Sequence, residues 1–130
     1  MSTTNRLEAI GVSKERYSVM FLQKCIELQR LKGQDYQNPN SRVKQADYYP
    51  SGIKTIEEII HAKKLRLQSL IETWESNNNA PVFESVEDTL MDMVNYASFM
   101  AAFINREIDG QDLQADVFNR KLSEEEESVQ

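Results

Sequence analysis

Residues 55–74, TIEEIIHAKKLRLQSLIETW, decide the fold class of this 130-residue chain. Ile56, Ile59, Ile60, Leu67, Leu70, Ile71 and Trp74 recur at the three- and four-residue spacing that keeps one side of an α-helix apolar. A half-buried strand would instead alternate every second residue. Thr55 with Glu58 three residues on fits the reciprocal capping box that opens a helix, and Ser76-Asn77-Asn78-Asn79 breaks the period. The spacing therefore predicts a helix from Thr55 to the asparagine run.

Two further helices follow from the same logic. Ser85 and Asp88 repeat the capping device, and Val86, Leu90, Val94, Ala97, Ala101 and Ile104 carry the period to Asp109-Gly110. From Ala97 to Ile104 this helix is apolar nearly all round, which predicts the most buried helix of the set. An earlier helix opens at Ser13 as N-cap and stops at Gly33. Tyr17, Met20, Phe21, Leu28 and Leu31 form one stripe on it, and Val19, Leu22 and Ile26 a second, so it is expected to pack on two sides. Between these helices, Gln34 to Lys54 has no regular period and is long for a connection in a compact domain. Within it, Asp47-Tyr48-Tyr49-Pro50-Ser51-Gly52 reads as a tight turn whose tyrosines either lie over a site or plug the end of the bundle. After Gly110, Leu113, Val117, Phe118 and Leu122 permit a short C-terminal helix. The expected fold is all-α: an antiparallel helical bundle of three main helices plus that short helix, with a helical domain over 1–110 and an acidic tail over 111–130.

Composition sets the broad class. Apolar residues at 40% and charged residues at 28% fit an ordinary globular domain. No apolar run approaches a membrane span, and the N-terminal residues lack the basic and apolar segments of an export signal, so no membrane partner and a cytoplasmic location are expected. The net charge of −6 works against non-specific binding to nucleic acid. Much of that excess lies in the tail, where Asp112, Asp116 and the run Glu124 to Glu127 face only Arg120 and Lys121; the run is expected to stay solvated. A single cysteine, Cys25, excludes an internal disulfide and reads as a buried structural thiol.

Candidate chemistry gathers on the third helix, where Asp88, Asp92 and Tyr96 fall at four-residue intervals and share a face. With Glu84 and Glu87 nearby, these carboxylates suit a hard cation such as Mg²⁺, which takes oxygen ligands from one or two carboxylates plus substrate phosphates. Acids near a helix N-terminus also complement its dipole, which accounts for Glu84, Glu87 and Asp88 without any metal. That account does not reach Asp92, which lies deeper in an apolar helix and needs a cation or a basic side chain. Lys63 falls on the apolar face of the second helix and Arg66 at its edge; each suits an ion pair with Asp88 or Asp92, or a phosphate oxygen. His61 reads as exposed. On the first helix, Glu27 sits in a polar wedge with Arg16, Gln23 and Arg30, either a solvated strip or a further ligand that orients water. At its end, Lys32, Asp35 and Tyr36 suit either helix-end pairing or recognition of a base or ribose.

These motifs resemble a known family. Lys32-x-x-Asp35-Tyr36, Lys63-x-x-Arg66-Leu67-x-x-Leu70 and Glu84-Ser85-x-x-Asp88-Thr89-x-x-Asp92-x-x-x-Tyr96 look like the small phage-type relatives of the MazG-like all-α nucleotide pyrophosphohydrolases. The resemblance spans roughly Met20 to Ile108. It implies a dimer or tetramer, a host-cytoplasmic location, and Mg²⁺-dependent hydrolysis of a (d)NTP to (d)NMP and pyrophosphate, with Mn²⁺ as a substitute ion. In such an enzyme Glu27, Asp88 and Asp92 would be catalytic, Glu27, Glu84, Asp88 and Asp92 would hold metal, and Lys32, Asp35, Tyr36, Lys63, Arg66 and Tyr96 would bind nucleotide. The sequence departs from the family's early EExxE cluster, since its first helix offers Glu27 with Gln23 four residues before it. Fewer carboxylates on the same scaffold suit an alternative function: capture of a nucleotide or nucleotide-like signal without cleavage, with Arg42 among the phosphate contacts. A third alternative is a helical assembly module without a small-molecule site.

Overall fold

A computed structural model describes residues 15–36, 38–77 and 83–122. The described residues form three helices, named here α1 (Tyr17–Tyr36), α2 (Ile53–Asn77) and α3 (Phe83–Ile104), with a 3₁₀ turn over Gln45–Tyr48. The third helix is the hub: α2 packs along it most extensively, and α1 packs on it along a smaller seam. Successive helices run antiparallel. Ile56 near the start of α2 packs with Phe103 near the end of α3, whereas Tyr17 at the start of α1 meets Glu87 at the start of α3. No described helix is long and apolar enough to cross a membrane.

The core sits at one end, where Tyr49, Ile56, Phe103 and Ile108 are buried together. Each such side chain contributes roughly 1.5–3 kcal/mol by leaving water. The rings of Tyr49 and Phe103 meet edge to face at 6.4 Å, a geometry that suits the aromatic quadrupole. The two tyrosines of the long connection therefore part company. Tyr49 plugs the bundle end, and Tyr48 stays 56% exposed. Two glycines make this end possible. Gly52 has φ +62, and a Cβ there would collide with the carbonyl oxygen of Val117. Gly110 has φ +82 and lies against the side chain of Lys44.

Helix boundaries depart from the sequence signals for identifiable reasons. The first helix runs through Gly33 to Tyr36, because Gly33 keeps an ordinary helical φ and so does not act as a left-handed stop; the Ser13 cap lies outside the described residues. The second helix opens at Ile53, so Thr55 lies inside its first turn and accepts the Ser51 N–H at 2.8 Å instead of forming a capping box. The third opens at Phe83 rather than Ser85, whose carbonyl accepts the Thr89 hydroxyl at 2.8 Å. It also ends early, at Ile104, in a Schellman motif: Arg106 N–H bonds to Phe103 O at 3.0 Å and Glu107 N–H to Ala102 O at 2.9 Å. Arg106 takes φ 63, which costs a non-glycine residue about 1–2 kcal/mol. Its guanidinium offsets this by donating to the carbonyls of Leu113 and Ala115.

The short C-terminal helix does not form. Residues 111–122 make turns and one isolated bridge, Ala115 to Lys121, and fold back on the helices. Gln111 donates to Phe103 O at 2.8 Å, and Ile53 N–H donates to Val117 O at 2.9 Å. The stretch from Ala97 to Ile104 is also less buried than its composition predicts, with Phe103 inside but Ile104 50% exposed. α3 still carries more buried side chains than the other helices, namely Val86, Thr89, Asn95 and Phe103.

Candidate functional site

Asp92 lies in the middle of α3, where the period turns it toward the other two helices. Its Oδ2 is 3.2 Å from Lys63 Nζ on α2, and its Oδ1 is 3.7 Å from Lys32 Nζ on α1. One carboxylate thus joins three helices. Asp92 is 25% exposed and Lys63 31%, so water still screens the pair and its net contribution is on the order of 1 kcal/mol or less. Two ammonium groups around one carboxylate leave a local excess of one positive charge.

Beside them lies a narrow cleft of about 60 Å³ lined by Gln29, Lys32, Asp92, Asn95, Tyr96 and Phe99. Tyr96 and Phe99 stand edge to face at 5.7 Å and form its apolar wall. The polar wall is held by a short chain of hydrogen bonds. Gln29 Nε2 donates to Asn95 Oδ1 at 3.3 Å and to Ser98 Oγ at 2.8 Å, and Ser98 Oγ donates to Asn95 O at 2.7 Å. The buried Asn95 amide is therefore fixed, as a low-dielectric position requires. The cleft has room for a single small group such as a phosphoryl. That is well below the several hundred Å³ of a site that encloses a whole small molecule.

A second polar cluster pins the start of α1. Tyr17 OH donates to Glu87 at 2.9 Å, and Lys24 Nζ reaches the other Glu87 oxygen at 3.3 Å while lying 5.3 Å above the Tyr17 ring. The Tyr17 hydroxyl, then Lys24, hold the Glu87 carboxyl below its usual range. Cys25 is buried on the same helix, and burial pushes its thiol up.

The sequence-derived candidates divide accordingly. Asp92 meets basic side chains, and Lys63 points inward, as their positions required. Tyr96 lines the cleft. Lys32 enters it through Asp92. Arg66, Arg42 and His61 are exposed, and so are Glu27, Glu84 and Asp88. Arg16, Gln23 and Arg30 are exposed with Glu27, which makes the wedge a solvated strip. The side chains of Asp35 and Tyr36 lie outside the described residues. Among the described residues no three His, Cys, Asp or Glu side chains gather as a metal-holding group. The donor set also argues against a dedicated Mg²⁺ centre in one chain, because the half-buried carboxylate at the site already faces two cations. Gln29, Asn95, Ser98 and Phe99 were not among the candidates. The signal was present: Gln29 precedes Lys32 by three residues, and Asn95 and Phe99 follow Asp92 by three and seven, spacings that share a helix face.

Comparison of the chain with protein-family models, with curated proteins and with solved structures finds no match.

Proposed function

We propose that this protein binds a phosphate-bearing nucleotide, or a small molecule like one, where α1, α2 and α3 meet, and holds it without cleaving it. The supporting observation is the Lys32–Asp92–Lys63 arrangement beside the cleft walled by Tyr96 and Phe99. A phosphoryl group offers more negative charge and more acceptor oxygens than Asp92, so it can draw both ammonium groups to itself. Asp92 is then an internal competitor that keeps the lysines in place until ligand arrives. The small cleft fits the phosphoryl end, and the rest of the ligand extends past the aromatic wall.

The second reading is Mg²⁺- or Mn²⁺-dependent pyrophosphohydrolysis of a (d)NTP. It is supported by the succession Glu84, Asp88, Asp92 on α3 and by the motif resemblance, and it requires ligands beyond those one described chain gathers. Exposed Leu22, Ile26 and Leu31 on α1 and Leu90 on α3 are consistent with a homo-oligomer that would supply them.

Calorimetry with a panel of nucleotides, with and without Mg²⁺, separates the two when paired with an assay for released pyrophosphate. Under the binding reading, Lys63→Ala weakens affinity about tenfold, the order of one charge-assisted hydrogen bond. Asp92→Asn tightens it, and no pyrophosphate appears. Mg²⁺-dependent pyrophosphate release that Asp92→Asn abolishes would replace binding with hydrolysis. No nucleotide binding by the folded protein would remove both.

A further inference from the structure

The loop after α3 builds a second cleft, remote from Asp92. Asp116 organises it: its Oδ1 accepts the backbone N–H groups of Phe118 and Arg120, each at 2.9 Å, and its Oδ2 accepts Arg120 Nε at 2.8 Å. Arg120 N–H, first among these donors, holds the Asp116 carboxyl below its ordinary value. Asn119, at φ 61, donates from Nδ2 to Pro50 O at 3.0 Å and so ties the loop to the turn before α2. The outcome is a fixed guanidinium lying 4.9 Å over the Phe118 ring.

A tight loop of this kind could turn its aromatic ring inward, yet Phe118 is 42% exposed. It stands on the edge of a cavity of about 390 Å³ shared with Ser51, Lys54 and Arg120. Lys54 has no ion-pair partner among the described residues. The first N–H groups of α2 do not supply the site, since Ile53 donates to Val117 O and Lys54 to Ser51 O. Side chains therefore define its chemistry: one ammonium, one guanidinium with its orientation fixed, one hydroxyl and one exposed aromatic ring. The volume falls within the range of small-molecule sites.

We infer that the cleft formed by Ser51, Lys54, Phe118 and Arg120 is a binding site for a small organic phosphate that carries a flat ring. Lys54 and the outer edge of Arg120 take the phosphate oxygens, Ser51 donates its hydroxyl, and the ring stacks on Phe118. Lys54 precedes Lys63 by nine residues, about 13 Å along the α2 axis, so this site is separate from the one at Asp92.

Titration of the full ¹⁵N-labelled chain with phenyl phosphate, inorganic phosphate and phenol, followed by amide NMR shifts, tests the assignment. Phenyl phosphate is expected to shift amides in 51–54 and 116–121 and to bind more tightly than either control. Phe118→Ala should weaken phenyl phosphate about fivefold, the order of a ring–ring contact, while leaving inorganic phosphate unchanged. Lys54→Ala, an exposed position where folding is not at stake, should weaken both phosphates. Phosphate binding at the Asp92 cleft would instead shift amides in 29–32 and 92–99, so failure of the nucleotide reading and failure of this one are read separately. The assignment is overturned if phenyl phosphate leaves these amides unshifted, if inorganic phosphate binds as well as phenyl phosphate, or if Lys54→Ala binds like the parent chain.

Discussion

The two ends of this bundle are held in different ways. At one end Tyr49, Ile56, Phe103 and Ile108 exclude water, and the 3₁₀ turn, the start of α2 and the 111–122 loop are tied to them by backbone hydrogen bonds. At the other, polar side chains join α1 to α3 beside the buried Cys25 and Val86, and Tyr17 is 55%, Leu22 50% and Ile26 47% exposed along α1. The first end is held by apolar burial, and the second by polar contacts that water still reaches. Asp92 lies between the two and holds a lysine from each side.

The largest expected effect tests the tight end. Phe103→Ala should lower unfolding free energy by about 3–5 kcal/mol, the cost of emptying an aromatic site in a packed core. Urea denaturation measures it, and a loss below about 1 kcal/mol would mean that this cluster does not carry the fold. Next in size, Gly52→Ala must place a methyl group on the Val117 carbonyl and strain a left-handed residue. A destabilisation of about 2–3 kcal/mol is expected by the same measurement. The 111–122 loop should show the first loss of amide protection, because Val117 has to move.

The smallest effect concerns the loose end. Since the Glu87 carboxyl is held low by Tyr17 and then by Lys24, its contribution is fully present above the ordinary glutamate pKa and is lost as pH falls through the folded value. Hydrogen exchange should therefore show α1 losing protection on acidification before α2 does, and Glu87→Gln should remove that pH dependence. Equal protection of α1 and α2 throughout the acid range would erase the distinction between the ends.

The main architecture was legible because α2 and α3 pack with long uninterrupted apolar periods, and a period survives errors at its edges. The inward turn of Lys63 was legible for the same reason, since a lysine between Ile59, Ile60 and Leu67 has little choice of direction. Boundaries were less so. Thr55 and Ser85 carry strong capping chemistry, but Gly52 and its contact with Val117 start α2 earlier, and that contact joins residues half a chain apart. The 111–122 loop was hidden behind a helix-compatible spacing of Leu113, Val117, Phe118 and Leu122. What prevents the helix is Arg106 in a left-handed conformation bonded to carbonyls that a helix would keep for itself. Neither an arginine nor an asparagine at such positions announces the conformation as a glycine does. The cleft beside Asp92 was half legible: its charges follow from burial, whereas Gln29 and Asn95 are neutral and drew no electrostatic argument.

The buried sulfhydryl of Cys25 gives the molecule an internal clock. It is the sole thiol in the chain, it is 2% exposed, and it lies on the helix with the smaller seam against α3. A reagent specific for sulfur reacts only when that thiol is uncovered, so its rate under native conditions counts those exposures directly, without a label that would disturb them.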